Sequence, residues 1–394
     1  MRYAAITDRL AGLGSDKWAV HWRAKSLCAD GVPVIMLTIG EPDVPTPAEL
    51  IEAATRAMLA GRTGYSSGRG EEPVLAALAA KYSARTGRTV GVDQLMYFPG
   101  TQTALYAVMQ GLAETGTEVL VGDPLYATYD GVIRASGARR VSVPLRREHG
   151  FHMLADDVEA MVSERSRVIL INTPHNPTGA VLTRDEIGAI GEVAEAHDLW
   201  IVSDEVYESI IFDGEFASPF DDARLAQRTV VVSSLSKSHA VTGFRAGWCV
   251  GPAEFTHKLL PLSEAMLFGA QPFIADMAAI ALSRTFPVTG QMREAYRRRA
   301  ETLVRRLGNT TGLKVMMPQG GMFAMVDITR LGIGGEAFAA GLLEQEQVAV
   351  MPGEAFGTEG AGLVRVSLTV PDDDIEIACD RIIAFVERLT AGAA

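Results

Sequence analysis

Cysteine is scarce, with three in 394 residues (Cys28, Cys249 and Cys379). An odd number of thiols spread this widely leaves no disulfide framework and no zinc-ligand spacing, so a reducing cytoplasm is the expected setting. Basic charge is also short. Thirty-six Lys and Arg against 48 Asp and Glu give a net charge of −12, which argues against nucleic acid or an anionic membrane as partner. Long apolar runs are missing. The most lipid-like stretch, residues 259–282, is interrupted by Glu264, Gln271 and Asp276, so no membrane span is expected. The opening MRYAAITDRLAGLGSDK has no apolar segment of signal-peptide length. What is present is globular composition, 48% apolar and 21% charged, in a chain long enough for about two to three domains.

Short apolar runs alternate with helical patterns through the middle of the chain. EVLV (118–121), RVILI (167–171), LWIV (199–202) and TVVV (229–232) suit strands buried on both faces. Between them, Thr183 with Glu186 forms a capping box ahead of a helix whose apolar face carries Ile187, Ile190, Val193 and Ala194. Such alternation predicts an α/β fold built on a mostly parallel sheet, with ligands bound beyond the carboxyl ends of the strands. After residue 282 the texture changes. Met292, Tyr296, Ala300, Leu303 and Leu307 mark one face of a long helix. Residues 364–370 alternate as in a half-buried strand, and a last helix starts near Asp372. This predicts a large domain over 45–282, a small α+β C-terminal domain over 283–394, and an N-terminal arm (1–44) that packs on the small domain.

Polar groups gather after the predicted strands. In SSLSKSHAVTGFRAGW (233–248), Lys237 lies among serines and eight positions before Arg245. A lysine amine can form a Schiff base with an aldehyde cofactor, while hydroxyls and a guanidinium suit a phosphate. In SDEVY (203–207), Asp204 ends a strand, where a carboxylate facing a pyridine nitrogen would keep it protonated. Tyr207 is placed to donate to a ring oxygen. NTPHNPTG (172–179) is a rigid turn that fixes Asn176. Gly100, Thr101 and Gln102 open a helix and offer backbone N–H groups and a hydroxyl to a phosphate. Tyr126, in DPLYATY, is placed to stack on a flat ring. Arg365, alone between apolar neighbours, calls for an anion such as a substrate carboxylate. Each feature alone is equally an ordinary cap, turn, surface lysine or ion pair. Together they specify one ligand, pyridoxal phosphate.

In this order, from about Gly40 to Arg365, the residues resemble the class I and II aminotransferases, pyridoxal-phosphate enzymes of fold type I. The resemblance implies a mostly parallel seven-stranded sheet flanked by helices and a small C-terminal domain. It implies that Lys237 carries the cofactor, Asp204 faces the ring nitrogen, and Tyr207 and Asn176 hold the ring hydroxyl. It further implies that Tyr126 stacks on the ring, and that Thr101, Ser234 and Arg245, with Gly100 and Gln102, hold the phosphate. Tyr65, in GYSSGRG, would reach the phosphate of a neighbouring subunit, so a homodimer with shared active sites is implied. Gly40, in IGEPD, would line the substrate site, and Arg365 would anchor the α-carboxylate. The expected substrates are an amino acid and a 2-oxo acid such as pyruvate.

Within the family, the segments SLSKSHAVTGFR, MREAYRRR and GGMFAMVDI are most similar to bacterial arginine–pyruvate transaminases. Aspartate-type members take an extra arginine from the partner subunit, just before the loop matching Ala270-Gln271-Pro272. Here that stretch reads PLSEAMLFG, with Glu264 and no arginine, which favours a cationic or neutral donor over a dicarboxylate. Trp18 and His21 are further candidates for the substrate pocket. Alternatives with the same residues are a C–S β-lyase, an aspartate-type aminotransferase, a cyclising synthase acting on a sulfonium substrate, and a non-catalytic cofactor-binding regulator.

Overall fold

The computed structural model of the protein describes residues 1–13 and 16–391. Its strands are β1 (Ile35–Met36), β2 (Leu95–Phe98), β3 (Glu118–Asp123), β4 (Arg139–Pro144), β5 (Ser166–Asn172), β6 (Trp200–Asp204), β7 (Thr229–Ser234), β8 (Gly247–Val250), β9 (Lys314–Met316), β10 (Phe323–Asp327), β11 (Val348–Ala349), β12 (Met351–Pro352) and β13 (Leu363–Ser367). Seven of them form one sheet in the order β2-β8-β7-β6-β5-β3-β4. All neighbours are parallel except at β8, which runs antiparallel to both β7 and β2. β3 and β7 are buried along their whole length, as their continuous β-branched runs require when helices cover both faces.

The four apolar runs read from the sequence fall on β3, β5, β6 and β7, with only Leu199 outside its strand, and each strand extends one or two residues further at its carboxyl end. The last residue of each extension is polar: Asp123, Asn172, Asp204 and Ser234. The helix Arg184–Ala196 carries the expected capping box, with the Thr183 hydroxyl accepting from Glu186 N and the Glu186 carboxylate accepting from Thr183 N.

Beyond the helix Pro287–Leu307, whose Met292, Tyr296, Ala300, Leu303 and Leu307 are all buried, a second sheet runs antiparallel in the order β12-β13-β10-β9. The strand expected to be half-buried is not. All five residues of β13 are buried, because the face bearing Arg365 and Ser367 looks into the interior. β1 joins β11, and the helix Ala19–Ala29 packs near Leu343 and Ala349, tying the N-terminal segment to this second unit. The first helix, Ala5–Arg9, instead reaches the large sheet's outer layer, where the Arg9 guanidinium donates to Arg134 O at 3.0 Å. Among the described residues, no helix is long and apolar enough to cross a membrane.

Candidate active site

The carboxyl ends of β5, β6 and β7 open onto a cavity of about 260 Å3. Its wall includes Gly40, Thr101, Gln102, Tyr126, Asn176, Asp204, Tyr207, Ser234, Lys237, Arg245 and Arg365. Residues as far apart in the chain as Gly40 and Arg365 therefore meet around one space.

At one end lies an anion cradle. The helix Thr101–Leu112 begins there, and its first N–H groups point outward without intrahelical partners. Gly100 precedes it at φ +86°, and a Cβ built at that position would run into the Arg245 guanidinium. Arg245 itself adopts the left-handed conformation (φ 58°) and donates to Thr242 O at 2.9 Å. The Thr101 hydroxyl is buried without a hydrogen-bond partner. An orphaned hydroxyl, a free helix N-terminus and a guanidinium around one gap are the donor set of a phosphate site.

In the middle, Asp204 is fully enclosed, and burial pushes its carboxyl up to about 6. The Tyr129 hydroxyl donates to its Oδ2 at 2.7 Å, and Val206 N makes a longer contact of 3.3 Å to Oδ1. The turn after β5 is fixed by Asn172, whose amide donates to Asp204 O at 3.0 Å and whose Oδ1 accepts from Asn176 N at 2.9 Å. Asn176 is thereby set beside Tyr207, whose phenol is pushed well up by burial. Lys237, in the turn after β7, donates to Gly40 O at 2.6 Å. Desolvation lowers its amine to about 8, opposed by Glu41 and helped by Arg245 and Arg365.

At the far end, Arg365 is 2% exposed. Its guanidinium donates to Asn176 Oδ1 at 3.0 Å and to Thr38 O at 2.5 Å, and it lies 3.8 Å from the Phe323 ring centroid and 4.4 Å from that of Phe356. Among the described residues it has no carboxylate within salt-bridge distance, and its Nε is buried without a partner. Burial presses its affinity for a proton down. A charge desolvated this far without a counterion is a demand for one.

Of the remaining predicted residues, one joins the cavity and the others do not. Trp18, in the turn Asp16–Trp18, reaches the cavity wall and packs against Met351, Ala355 and Phe356. His21 stays off the wall, its Nδ1 2.8 Å from the Thr38 hydroxyl. Tyr65 and Glu264 do not join this cavity. Tyr65 is 91% exposed, touching the Phe268 ring edge-on at 5.2 Å, and Glu264 lies over Gly68 on the same surface. Sequence reasoning missed Tyr129 and the two phenylalanines flanking Arg365. Tyr129 had a signal: it stands three residues after Tyr126, where a turn brings both rings together, edge to face at 5.4 Å.

The residues present fit pyridoxal phosphate. The orphaned Thr101 hydroxyl beside Arg245 suits its phosphate, the buried Asp204 needs a cation such as a protonated ring nitrogen, and the partly deprotonated Lys237 suits its aldehyde. The family model for aminotransferase class I and II matches residues 32–382, and the chain belongs to that family of pyridoxal-phosphate enzymes. Over its full length it is 44% identical to the arginine–pyruvate transaminase of Pseudomonas aeruginosa, with all of both chains covered. It is 34% identical to an aspartate aminotransferase of Streptomyces avermitilis, covering 92% of each. Among solved structures, the aspartate aminotransferase of Thermus thermophilus with maleate superposes with a TM-score of 0.92 at 30% identity, covering 98% of this chain and 100% of that one. The enzyme is a pyridoxal-phosphate-dependent aminotransferase, and the seven-stranded sheet with flanking helices is the fold that the sequence predicted.

Proposed function

We propose that this aminotransferase takes the amino group of L-arginine, or of another donor without a side-chain carboxylate, and passes it to pyruvate. The observation that carries an amino-acid substrate is Arg365, a buried guanidinium with two neutral acceptors and no carboxylate. Two facts favour the non-acidic donor. The 44% identical relative is named for arginine and pyruvate. The stretch 261–269, where aspartate-type members carry the arginine that they lend to the partner's site, holds Glu264 and no arginine.

When bound, pyridoxal phosphate supplies an aldehyde to receive the amino group and a ring that draws electrons from the substrate Cα. Lys237 would hold the cofactor at its aldehyde carbon, and its amine, lowered to about 8 when free, would move the proton at Cα. Asp204 holds the proton at the ring nitrogen. Asn176, its Oδ1 taken by Arg365, turns its amide donor toward the ring hydroxyl alongside Tyr207. Thr101, Ser234 and Arg245, with the backbone of Gly100 and Gln102, hold the phosphate, and Tyr126 stacks on the ring. Gly40 and Trp18 border the substrate, and Arg365 grips its α-carboxylate in two hydrogen bonds.

The working unit in this reading is a cytoplasmic homodimer. Tyr65, exposed beside Phe268, reaches the partner's phosphate, and Glu264 on the same surface faces the partner's substrate side chain. The division into an arm (1–44), a large domain (45–282) and a small domain (283–394) then places the cavity between the two sheets. A donor screen tests the function. Arginine, alanine, aspartate, kynurenine and cysteine conjugates are added singly to the loaded enzyme, with pyruvate or 2-oxoglutarate as acceptor. Arginine with pyruvate is expected to give the highest kcat/KM. Aspartate as best donor would refute the non-acidic assignment, and ammonia release without an oxo acid would point to a β-lyase.

A further inference from the structure

Asp204 sits in an environment that works against its charge. It is 4% exposed, and burial raises the cost of ionising it. Among the described residues one side chain donates to it, Tyr129, through a 2.7 Å hydrogen bond to Oδ2. We propose that Tyr129 is a positioning residue for transamination: its hydroxyl keeps the Asp204 carboxylate ionised and oriented so that it holds the proton at the cofactor's ring nitrogen. This rests on the reading above that Asp204 faces that nitrogen.

Three features fix the role. First, the donor cannot turn away. Tyr129 is 2% exposed, its backbone N–H bonds Tyr126 O at 3.0 Å as the helix Tyr129–Ser136 begins, and its ring is packed edge-on against Tyr126. Second, the pair has one polarity. Burial and the adjacent carboxylate push the Tyr129 phenol far up, so it remains a donor at every pH the enzyme meets. Third, the residue is held at both its backbone and its side chain. Asn172 pins the Asp204 backbone carbonyl and Tyr129 takes Oδ2, while Oδ1 has, among the described residues, only the long contact to Val206 N. The titratable groups around Asp204 are Tyr126, Tyr129 and Tyr207, with Lys237, Arg245 and Arg365 across the cavity.

Replacing the hydroxyl leaves the ring and its packing in place, so Tyr129→Phe isolates the hydrogen bond. The cofactor-loaded enzyme is titrated by its visible absorption, in wild type, Tyr129→Phe, Asp204→Asn and the double variant. A less ionised Asp204 leaves the ring less positive, which raises the proton affinity of the nitrogen joined to Lys237. The expected result is an upward shift of the spectroscopic pKa by about one unit, the size of one charge-assisted hydrogen bond. Turnover should fall about ten-fold for the same reason, with the donor KM within about two-fold. The shift should vanish when Asp204 is already Asn. It should also vanish when both proteins carry the cofactor analogue whose ring nitrogen is replaced by CH, which leaves Asp204 in place. A titration of Tyr129→Phe that matches wild type, or a shift that persists with the analogue, overturns the inference. An Asp204→Asn enzyme that titrates like wild type overturns the underlying reading of Asp204 instead.

Discussion

The amine of Lys237 lies 2.6 Å from the carbonyl oxygen of Gly40, a residue 197 positions earlier in the chain. The contact joins the turn after β7 to the N-terminal segment and aims the amine into the cavity. No side chain beyond hydrogen fits at Gly40, because a Cβ there would strike the Phe323 ring. Desolvation holds the amine at about 8, so it is mostly protonated at pH 7 and free above pH 8. Capture of pyridoxal phosphate by the cofactor-free protein is therefore expected to quicken with rising pH and level off above about 8, where an unperturbed lysine would keep gaining to beyond 10. Borohydride should fix the label to Lys237. Lys237→Ala should abolish the labelling and lower turnover by about a thousand-fold or more, the scale of lost proton transfer.

Arg365 gives a prediction in which function and stability part company. Its charge is desolvated between two phenylalanine rings, with no carboxylate partner among the described residues. Removing a charge-assisted grip on the substrate costs about 2–5 kcal/mol of binding, which is roughly 30- to 3,000-fold in kcat/KM. Arg365→Met should impose that loss on amino donor and oxo acid alike, since both carry the same carboxylate. The same change replaces an uncompensated buried charge by an apolar chain of similar length, so the unfolding midpoint of the cofactor-free protein should hold or rise. A variant that unfolds early would show that the guanidinium serves the fold instead.

The sequence carried much of this arrangement because chemistry and local pattern coincide there. β3, β5, β6 and β7 are buried over nearly their whole length, so their apolar runs are unbroken, and the residues that end the last three, Asn172, Asp204 and Ser234, stand beside the cavity. β4 was not visible, because an edge strand with alternating exposure reads RRVSVP and resembles a loop. β2 and β8 are four residues each, too short to declare a period. Arg365 was conspicuous as a lone cation in an apolar strand. Its sandwich between Phe323 and Phe356 was not, because those rings come from segments that only tertiary packing brings together. Tyr65 and Glu264 lie outside the cavity of their own chain, so the roles proposed for them would require a second subunit.

The phosphate cradle depends on a missing side chain. Gly100 combines φ +86°, which an L side chain adopts only under strain, with direct contact to the Arg245 guanidinium. Gly100→Ala would push Arg245 away from the helix N-terminus and twist the first turn of the helix Thr101–Leu112. The affinity for pyridoxal phosphate, measured by reconstituting the cofactor-free protein, should fall about ten-fold or more, in line with the loss of one charge-assisted contact. Inorganic phosphate should compete with the cofactor in wild type and much less in the variant. The binding of pyridoxal, which lacks the phosphate, should change little.

Behind the catalytic face, Arg85 gathers three carboxylates: Glu205 at 2.9 Å, Glu208 at 3.0 Å and Asp221 at 2.8 Å. Glu205 is the residue after Asp204, and its side chain is wholly buried, with the Ser218 hydroxyl as its other donor. Arg85→Met would strip the guanidinium from this cluster, where Lys81 still pairs with Glu208 at 2.7 Å, and leave Glu205 without a cationic partner, an error that costs about 3–5 kcal/mol when a buried pair is broken. The cost has a pH signature. Burial raises the folded pKa of Glu205 from 4.5 to about 7 even with Arg85 beside it. A folded pKa above the unfolded one stabilises most at low pH, and that contribution fades as pH rises through about 7. Without the guanidinium the carboxyl can still take up a proton in acid. The stability deficit of Arg85→Met in urea unfolding should therefore be larger at pH 8 than at pH 5. Adding Glu205→Gln to that variant should recover part of the loss at pH 8, because the neutral amide no longer needs a counterion. An equal deficit at both pH values would mean that Arg85 contributes by packing on Tyr82 and Phe216, whose rings lie 4.7 and 5.4 Å from its guanidinium, and not by charge.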